Sequence, residues 1–227
     1  MVRGIFITAT GTDVGKTYVS ALLVKKMRDL GYNCGYFKPV LSGAEIVDGK
    51  LVPGDCRYVL NFAGIDVEPM ECVSYAFQPA LSPHLASEIE NVSIKLDKIV
   101  SDFKRVSSWY DFVVVEGAGG IVCPFNLRDG ETLLLPDVIR ALGLDIFIVA
   151  NAELGTINST VLTYEYAKQK NINISGIILN NYNQNDLMQK DNLEQIQNLT
   201  GIDVVGTVKR NQSDIDIFNL PEYFKEI

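Results

Sequence analysis

The run Ala9-Thr10-Gly11-Thr12-Asp13-Val14-Gly15-Lys16-Thr17 has the composition of an anion-binding loop. Small residues let backbone N–H groups converge on a phosphate, and a helix opening at the end of the run turns its positive end toward it. In such a loop the lysine reaches the β- and γ-phosphates and the next hydroxyl ligates Mg²⁺, places filled here by Lys16 and Thr17. The strict spacing asks for glycine five residues before Gly15, where Thr10 stands. An ordinary glycine-rich turn is the competing reading. Gly-Lys-Thr between a strand-like and a helix-like segment favours the phosphate loop.

Two other segments carry charge next to apolar runs. Glu116-Gly117-Ala118-Gly119-Gly120 follows Phe112–Val115, and an acidic residue at the end of a buried strand is where a phosphate-loop enzyme places a second metal anchor. Its glycines let backbone approach a ligand closely, although a tight strand-to-loop turn would use them too. Lys38, opening Lys38-Pro39-Val40-Leu41-Ser42-Gly43, is either a solvated charge at a strand end or a second lysine in the crevice of Lys16. Two lysines around one anionic centre would suit phosphoryl transfer to another anionic reactant. His84, the only histidine, sits in the helix-start pattern Ser82-Pro83-His84 and reads as a capping or packing residue. Cys34, Cys56, Cys72 and Cys123 are too scattered for a zinc or redox pair and read as buried thiols.

These segments need a frame that gathers them. Ile5–Thr8, Gly35–Val40, Phe112–Val115, Ile146–Ala150, Gly176–Asn180 and Asp203–Gly206 read as strands. Helical patterns lie between them: Lys16–Leu30, with Val19, Leu22, Leu23, Met27 and Leu30 on one face and Gly31 ending it; Ile94–Val106, grouping Leu96, Ile99, Val100 and Phe103; Pro136–Leu142; Asn158–Lys170; and Asp186–Leu199. The stretch between Val40 and Ile94 reads as irregular. Continuous apolar strands alternating with helices imply an α/β fold, a doubly wound, mostly parallel sheet with helices on both faces, in one domain over 1–227. Ligands bind such sheets outside the carboxyl ends of the strands, so Thr10–Thr17, Lys38–Ser42, Glu116–Gly120, Asn151–Asn158 and Asn180–Asn181 are expected to converge.

Composition narrows the classes. A net charge of −8, from 28 acidic against 20 basic residues, disfavours a sequence-independent nucleic-acid binder, which needs a basic surface. A 47% apolar content suffices for a core. No secretory leader pattern opens the chain and no apolar run spans a bilayer, so a cytoplasmic protein with no membrane partner is expected.

Ala9–Thr17, Phe37–Gly43, Val115–Gly120, Leu154-Gly155-Thr156-Ile157-Asn158 and Asn180-Asn181, in that order, resemble dethiobiotin synthetase, a P-loop NTPase family whose own loop also departs from the strict glycine spacing. The resemblance implies ATP as co-substrate, Mg²⁺, and closure of the ureido ring of dethiobiotin from 7,8-diaminononanoate and CO₂ through a carbamate and a carbamic-phosphoric anhydride. It assigns catalysis to Lys38, Lys16 and Thr12, and the metal to Thr17, Asp55 and Glu116. The nucleotide set is Asp13–Tyr18, Asp55, Glu116–Gly119, Asn180, Asn181 and Lys209, with Val14, Gly15, Tyr18, Gly117, Ala118 and Gly119 among those lining the nucleotide and Asn180 reading adenine. The diamine set is Thr12, Lys38, Ser42, Leu154, Gly155, Thr156 and Asn158, the last four donated by the partner subunit of a homodimer with shared sites. Val208-Lys209-Arg210 stands where the family has an Ile-Pro-like pair against the base. A partition-type ATPase is the nearest rival, but it would carry another lysine where Ala9, Thr10 and Gly11 stand.

Overall fold

The computed structural model describes residues 1–128 and 130–227. Strand β1 (Arg3–Ala9) is buried from Gly4 onward, as expected of a run with no polar face. A loop leads to helix α1 (Lys16–Asp29), whose Val19, Leu22, Leu23 and Met27 are fully buried. Leu30 does not join that face: it is the C-cap and is 53% exposed, because the chain already turns toward Gly31 at φ 88°. Strand β2 (Cys34–Ser42) follows.

The stretch that reads as irregular is structured. It holds a hairpin, β3 (Glu45–Val47) and β4 (Lys50–Val52), then helix α2 (Gly54–Ala63), a 3₁₀ turn at Pro69–Cys72, strand β5 (Val73–Phe77) and helix α3 (Pro83–Ile89). These elements are short and largely half-exposed, so each shows only two or three apolar positions of its period. Val73, Tyr75 and Phe77 point inward while Ser74 and Ala76 do not, the alternation of an edge strand.

The remaining elements lie close to the segments read from sequence: helix α4 (Leu96–Ser107), strand β6 (Phe112–Glu116), a short ladder of β7 (Pro124–Asn126) and β8 (Leu133–Leu134), and helix α5 (Leu135–Leu142). They continue with strand β9 (Ile146–Asn151), helix α6 (Thr156–Gln169), strand β10 (Ile174–Asn180), helix α7 (Leu187–Thr200), and strands β11 (Val204–Val208) and β12 (Lys225–Glu226). Helix α6 opens two residues before Asn158, because Gly155 takes the left-handed turn (φ 91°) at its N-cap and frees Thr156 to start it. Asp186 caps α7, its side chain accepting from Gln189 N.

Seven strands form one parallel sheet in the order β5-β2-β6-β1-β9-β10-β11, and β12 pairs antiparallel with the start of β1. One apolar layer packs α1, α2 and the tail residues Ile215, Ile217, Leu220 and Phe224 on the sheet; the other packs α3 to α7. Fully burying a Phe or Ile is worth about 1.5–3 kcal/mol, and Ile5, Phe6, Ile7, Phe37 and Phe147 are wholly covered. The carboxyl edge therefore stands on the most firmly held part of the molecule. All four cysteines are buried free thiols, as expected. Among the described residues, no helix is long and apolar enough to cross a membrane.

Candidate active site

Strands β2 and β6 run parallel with Phe37 opposite Val115, which brings Lys38 alongside Glu116. Lys38 is not a solvated edge charge, for it is only 3% exposed. Its Nζ lies 2.7 Å from Glu116 Oε1 and 2.5 Å from Asp55 Oδ2, the latter carried on the first turn of α2. From α1, Thr17 Oγ1 donates to Glu116 Oε1 at 2.9 Å. Four elements thus place a lysine, two carboxylates and a hydroxyl within contact. Lys16 folds back over its loop and donates to the Gly11 carbonyl at 3.1 Å.

Tyr36, which sequence reasoning missed, completes the cluster: its hydroxyl donates to Glu116 Oε2 at 2.7 Å. Its only signal is strand periodicity, which sets it on the same face as Lys38, and an aromatic residue in a strand looks the same whether it fills core or serves a site.

The charges are strongly coupled. Burial works against the Lys38 ammonium, but Glu116 and Asp55 outweigh it and hold its pKa above the ordinary lysine value. Burial also opposes charge on Asp55, yet Lys38, Thr17 and Lys16 keep its carboxyl below the ordinary range. Burial lowers the Lys16 pKa, with Glu116 opposing and Lys38 assisting. Burial and the Glu116 charge raise the Tyr36 phenol well above its usual value, so it remains a donor. Burial pushes the Cys123 thiol up to about 11, leaving it protonated at neutral pH.

Two carboxylates gripping one ammonium amount to a cation seat built by the protein. Its donors, Thr17, Asp55 and Glu116, are all hard oxygens, the set that suits Mg²⁺. Among the described residues, no three His, Cys, Asp or Glu gather as a metal site, so the hydroxyl is needed to complete the donor set.

Lys16, Thr17, Lys38, Asp55 and Glu116 line a cavity of about 390 Å³ with Thr12, Asp13, Gly15, Ser42, Ala118 and Gly119. Gly15 has φ 95°, and a Cβ there would lie 2.0 Å from Asn180 Nδ2. That close approach lets Asn180 Nδ2 donate to the Val14 carbonyl at 2.9 Å, tying the end of β10 to the loop. Asn180 Oδ1 is buried with no hydrogen-bond partner among the described residues, an acceptor available to a ligand. Tyr18 OH donates to the Gln212 carbonyl, bringing the chain after β11 onto α1.

An adjoining groove of about 1060 Å³ shares Thr12, Asp13, Ser42, Ala118 and Gly119, and adds Leu81, Val122, Leu162, Tyr166 and Asn158. Of the segment Leu154–Asn158, only Asn158 lines this groove of its own chain. Leu154 is 87% exposed, and Thr156 is buried against Thr160. Asn181 and Lys209 stand apart from the phosphate loop, in a recess of about 370 Å³ with Glu153 and Arg210. Asn181 Nδ2 donates to Asn151 Oδ1, and the Lys209 amide to Gln212 Oε1. His84 packs at the start of α3, with Ser82 at the N-cap position but no hydrogen bond from the serine side chain.

A family model described as an AAA domain matches residues 3–214. The ATP-dependent dethiobiotin synthetase BioD of Clostridium botulinum (strain 657 / Type Ba4) is 48% identical over 229 residues, all of both chains. That of strain Alaska E43 / Type E3 is 48% identical over 217 residues, 96% of this chain and 95% of the relative. The fold is similar to a ParA family ATPase from Chlorobium tepidum TLS, with TM-score 0.55 at 13% identity, covering 93% of this chain and 86% of that one. It is similar also to the MinD cell division protein of Aquifex aeolicus, with TM-score 0.55 at 13% identity, covering 92% and 83%. At such identities the two structures speak for the fold alone.

Proposed function

This chain belongs to the dethiobiotin synthetase family, and from that premise we propose how its site carries out an ATP-dependent dethiobiotin synthesis. The substrates are 7,8-diaminononanoate and CO₂. One amine of the diamine adds to CO₂ and loses a proton, giving a carbamate. A carbamate oxygen takes the γ-phosphoryl group, releasing ADP. The second amine attacks the carbonyl carbon of this anhydride, closes the ureido ring and expels phosphate.

The observation that carries this reading is the Lys38 ammonium held between Asp55 and Glu116 beside Thr17, at the mouth of the phosphate loop. Carbamate and γ-phosphate repel each other, and bringing them together requires positive charge fixed in advance. Lys38 steadies the carbamate and the charge developing on the phosphoryl group it attacks; Lys16 holds the β- and γ-phosphates. Thr17, Asp55 and Glu116 would hold Mg²⁺, which when bound neutralises charge building on the phosphates. Thr12 and Ser42, on the wall common to both cavities, face the reacting end of the diamine. Leu81, Val122 and Leu162 offer apolar surface for its carbon chain. Asn180, its donor committed to Val14, presents Oδ1 to an exocyclic amine such as that of adenine. The exposed Leu154 and Gly155 are suited to reach a second chain, and a homodimer in which they close the partner's groove accounts for their distance from their own.

ADP release with and without diaminononanoate and bicarbonate tests the reading. Turnover is expected only with both, with dethiobiotin appearing in step with ADP. ADP release indifferent to the diamine would overturn it in favour of a nucleotide switch.

A further inference from the structure

Tyr36 lies on the buried face of β2, two residues before Lys38, with no exposed surface. Glu116, whose carboxylate it meets, is likewise wholly buried. The two carboxylate oxygens have different company. Oε2 receives the Tyr36 hydroxyl at 2.7 Å, while Oε1 receives Lys38 at 2.7 Å and Thr17 at 2.9 Å. A carboxylate turns readily about its last bond, since that torsion has no sharp staggered wells. A donor on one oxygen alone fixes which oxygen faces the cavity.

We propose that Tyr36 is a positioning residue for this centre: its phenol pins Glu116 Oε2 and so presents Oε1, beside Thr17, to the cation. The inference rests on the reading of Glu116 as a metal carboxylate. Partners behind metal ligands of this kind typically change metal affinity by about 10–100-fold when removed. Tyr36 lines neither of the two cavities, so binding of nucleotide and diamine should not feel its loss directly.

The test replaces Tyr36 by Phe, which keeps the ring in its packing and deletes one hydroxyl. Mn²⁺ binding to the enzyme–ADP complex, read by paramagnetic resonance, is expected to weaken about tenfold or more. ADP affinity in chelator and the KM for diaminononanoate are expected to stay at wild-type values, and the Mg²⁺ midpoint of turnover to rise in parallel. Glu116→Gln and the double variant Y36F/E116Q complete a cycle. If Tyr36 acts through Glu116, the double variant binds Mn²⁺ no more weakly than Glu116→Gln alone. That comparison stands even if Tyr36→Phe alone fails to fold, because in the double variant no buried carboxylate is left short of a donor. Wild-type Mn²⁺ binding in Tyr36→Phe, with Glu116→Gln weakened, would overturn the role of Tyr36 and leave that of Glu116. Additive losses in the double variant would overturn it too, making Tyr36 a packing residue. Wild-type binding in both single variants would remove the metal role of Glu116, and the positioning role with it.

Discussion

Lys38 is the residue on which the site's chemistry and its stability meet. Without its ammonium, Glu116 would be a fully buried carboxylate beside the like charge of Asp55. Breaking a buried ion pair by removing one partner costs about 3–5 kcal/mol. Lys38→Met is therefore expected to lose ring closure entirely and, in chelator, to lose stability on that scale by chemical denaturation. Added Mg²⁺ should restore part of the loss and raise the melting of this variant more than that of wild type, whose Lys38 already neutralises the carboxylates. Asp55 gives a pH test. Its folded pKa lies below its unfolded value of about 3.9, so its contribution is present above that value and disappears as pH falls through the folded one. In metal-free denaturation series from pH 7 to 3, Asp55→Asn should lack this acid-side component of the wild-type loss. At this scale much was legible in the residues: a phosphate loop, an acidic strand end and a lysine that pointed one of two ways. Choosing between those two ways needed the strand register, and Tyr36 carried no mark separating it from core aromatics.

Among elements, the junction of the loop with β10 bears most directly on function. Gly15 combines a left-handed backbone with a neighbour, Asn180, already where a Cβ would go. The left-handed conformation costs a non-glycine residue roughly 1–2 kcal/mol, and the collision comes on top of it. Gly15→Ala is expected to lower the melting temperature and weaken ADP binding at least tenfold by calorimetry. Adding Asn180→Ala should recover the steric share of the stability loss but not the conformational one. The main alternation of strands and helices was readable because most of those strands are buried on both faces and, α5 apart, their helices span three or more turns. The hairpin, α2 and β5 were not, since short, half-exposed elements offer too few apolar positions to set a period. That omission hid how Asp55 arrives: the hairpin carries the chain away from Ser42 and returns it to start α2 beside Lys38.

For the whole molecule, the exposed Leu154 and the apolar rim of Val122 and Leu162 bear on assembly. Sedimentation is expected to give a dimer. In Mg²⁺, Lys38→Met and Gly155→Glu chains should each be inactive, and subunit exchange between them should restore roughly a quarter of wild-type activity. Half the dimers are then mixed, and each holds one intact site out of two, as two-fold symmetry requires. No recovery despite demonstrated exchange would mean that each chain completes its own groove. The opposite rim of the sheet has a different consequence. Gly4 pairs with Lys225 and Arg3 with Glu226, and the Ile227 amide donates to the Val2 carbonyl. Both extremities thus lie at the foot of β1, a strand of seven residues and therefore on the order of 20 Å from the loop at its head. A surface tether or a fluorescent cargo joined beside Met1 or Ile227 would hang from the end of the sheet opposite the loop, clear of both cavities.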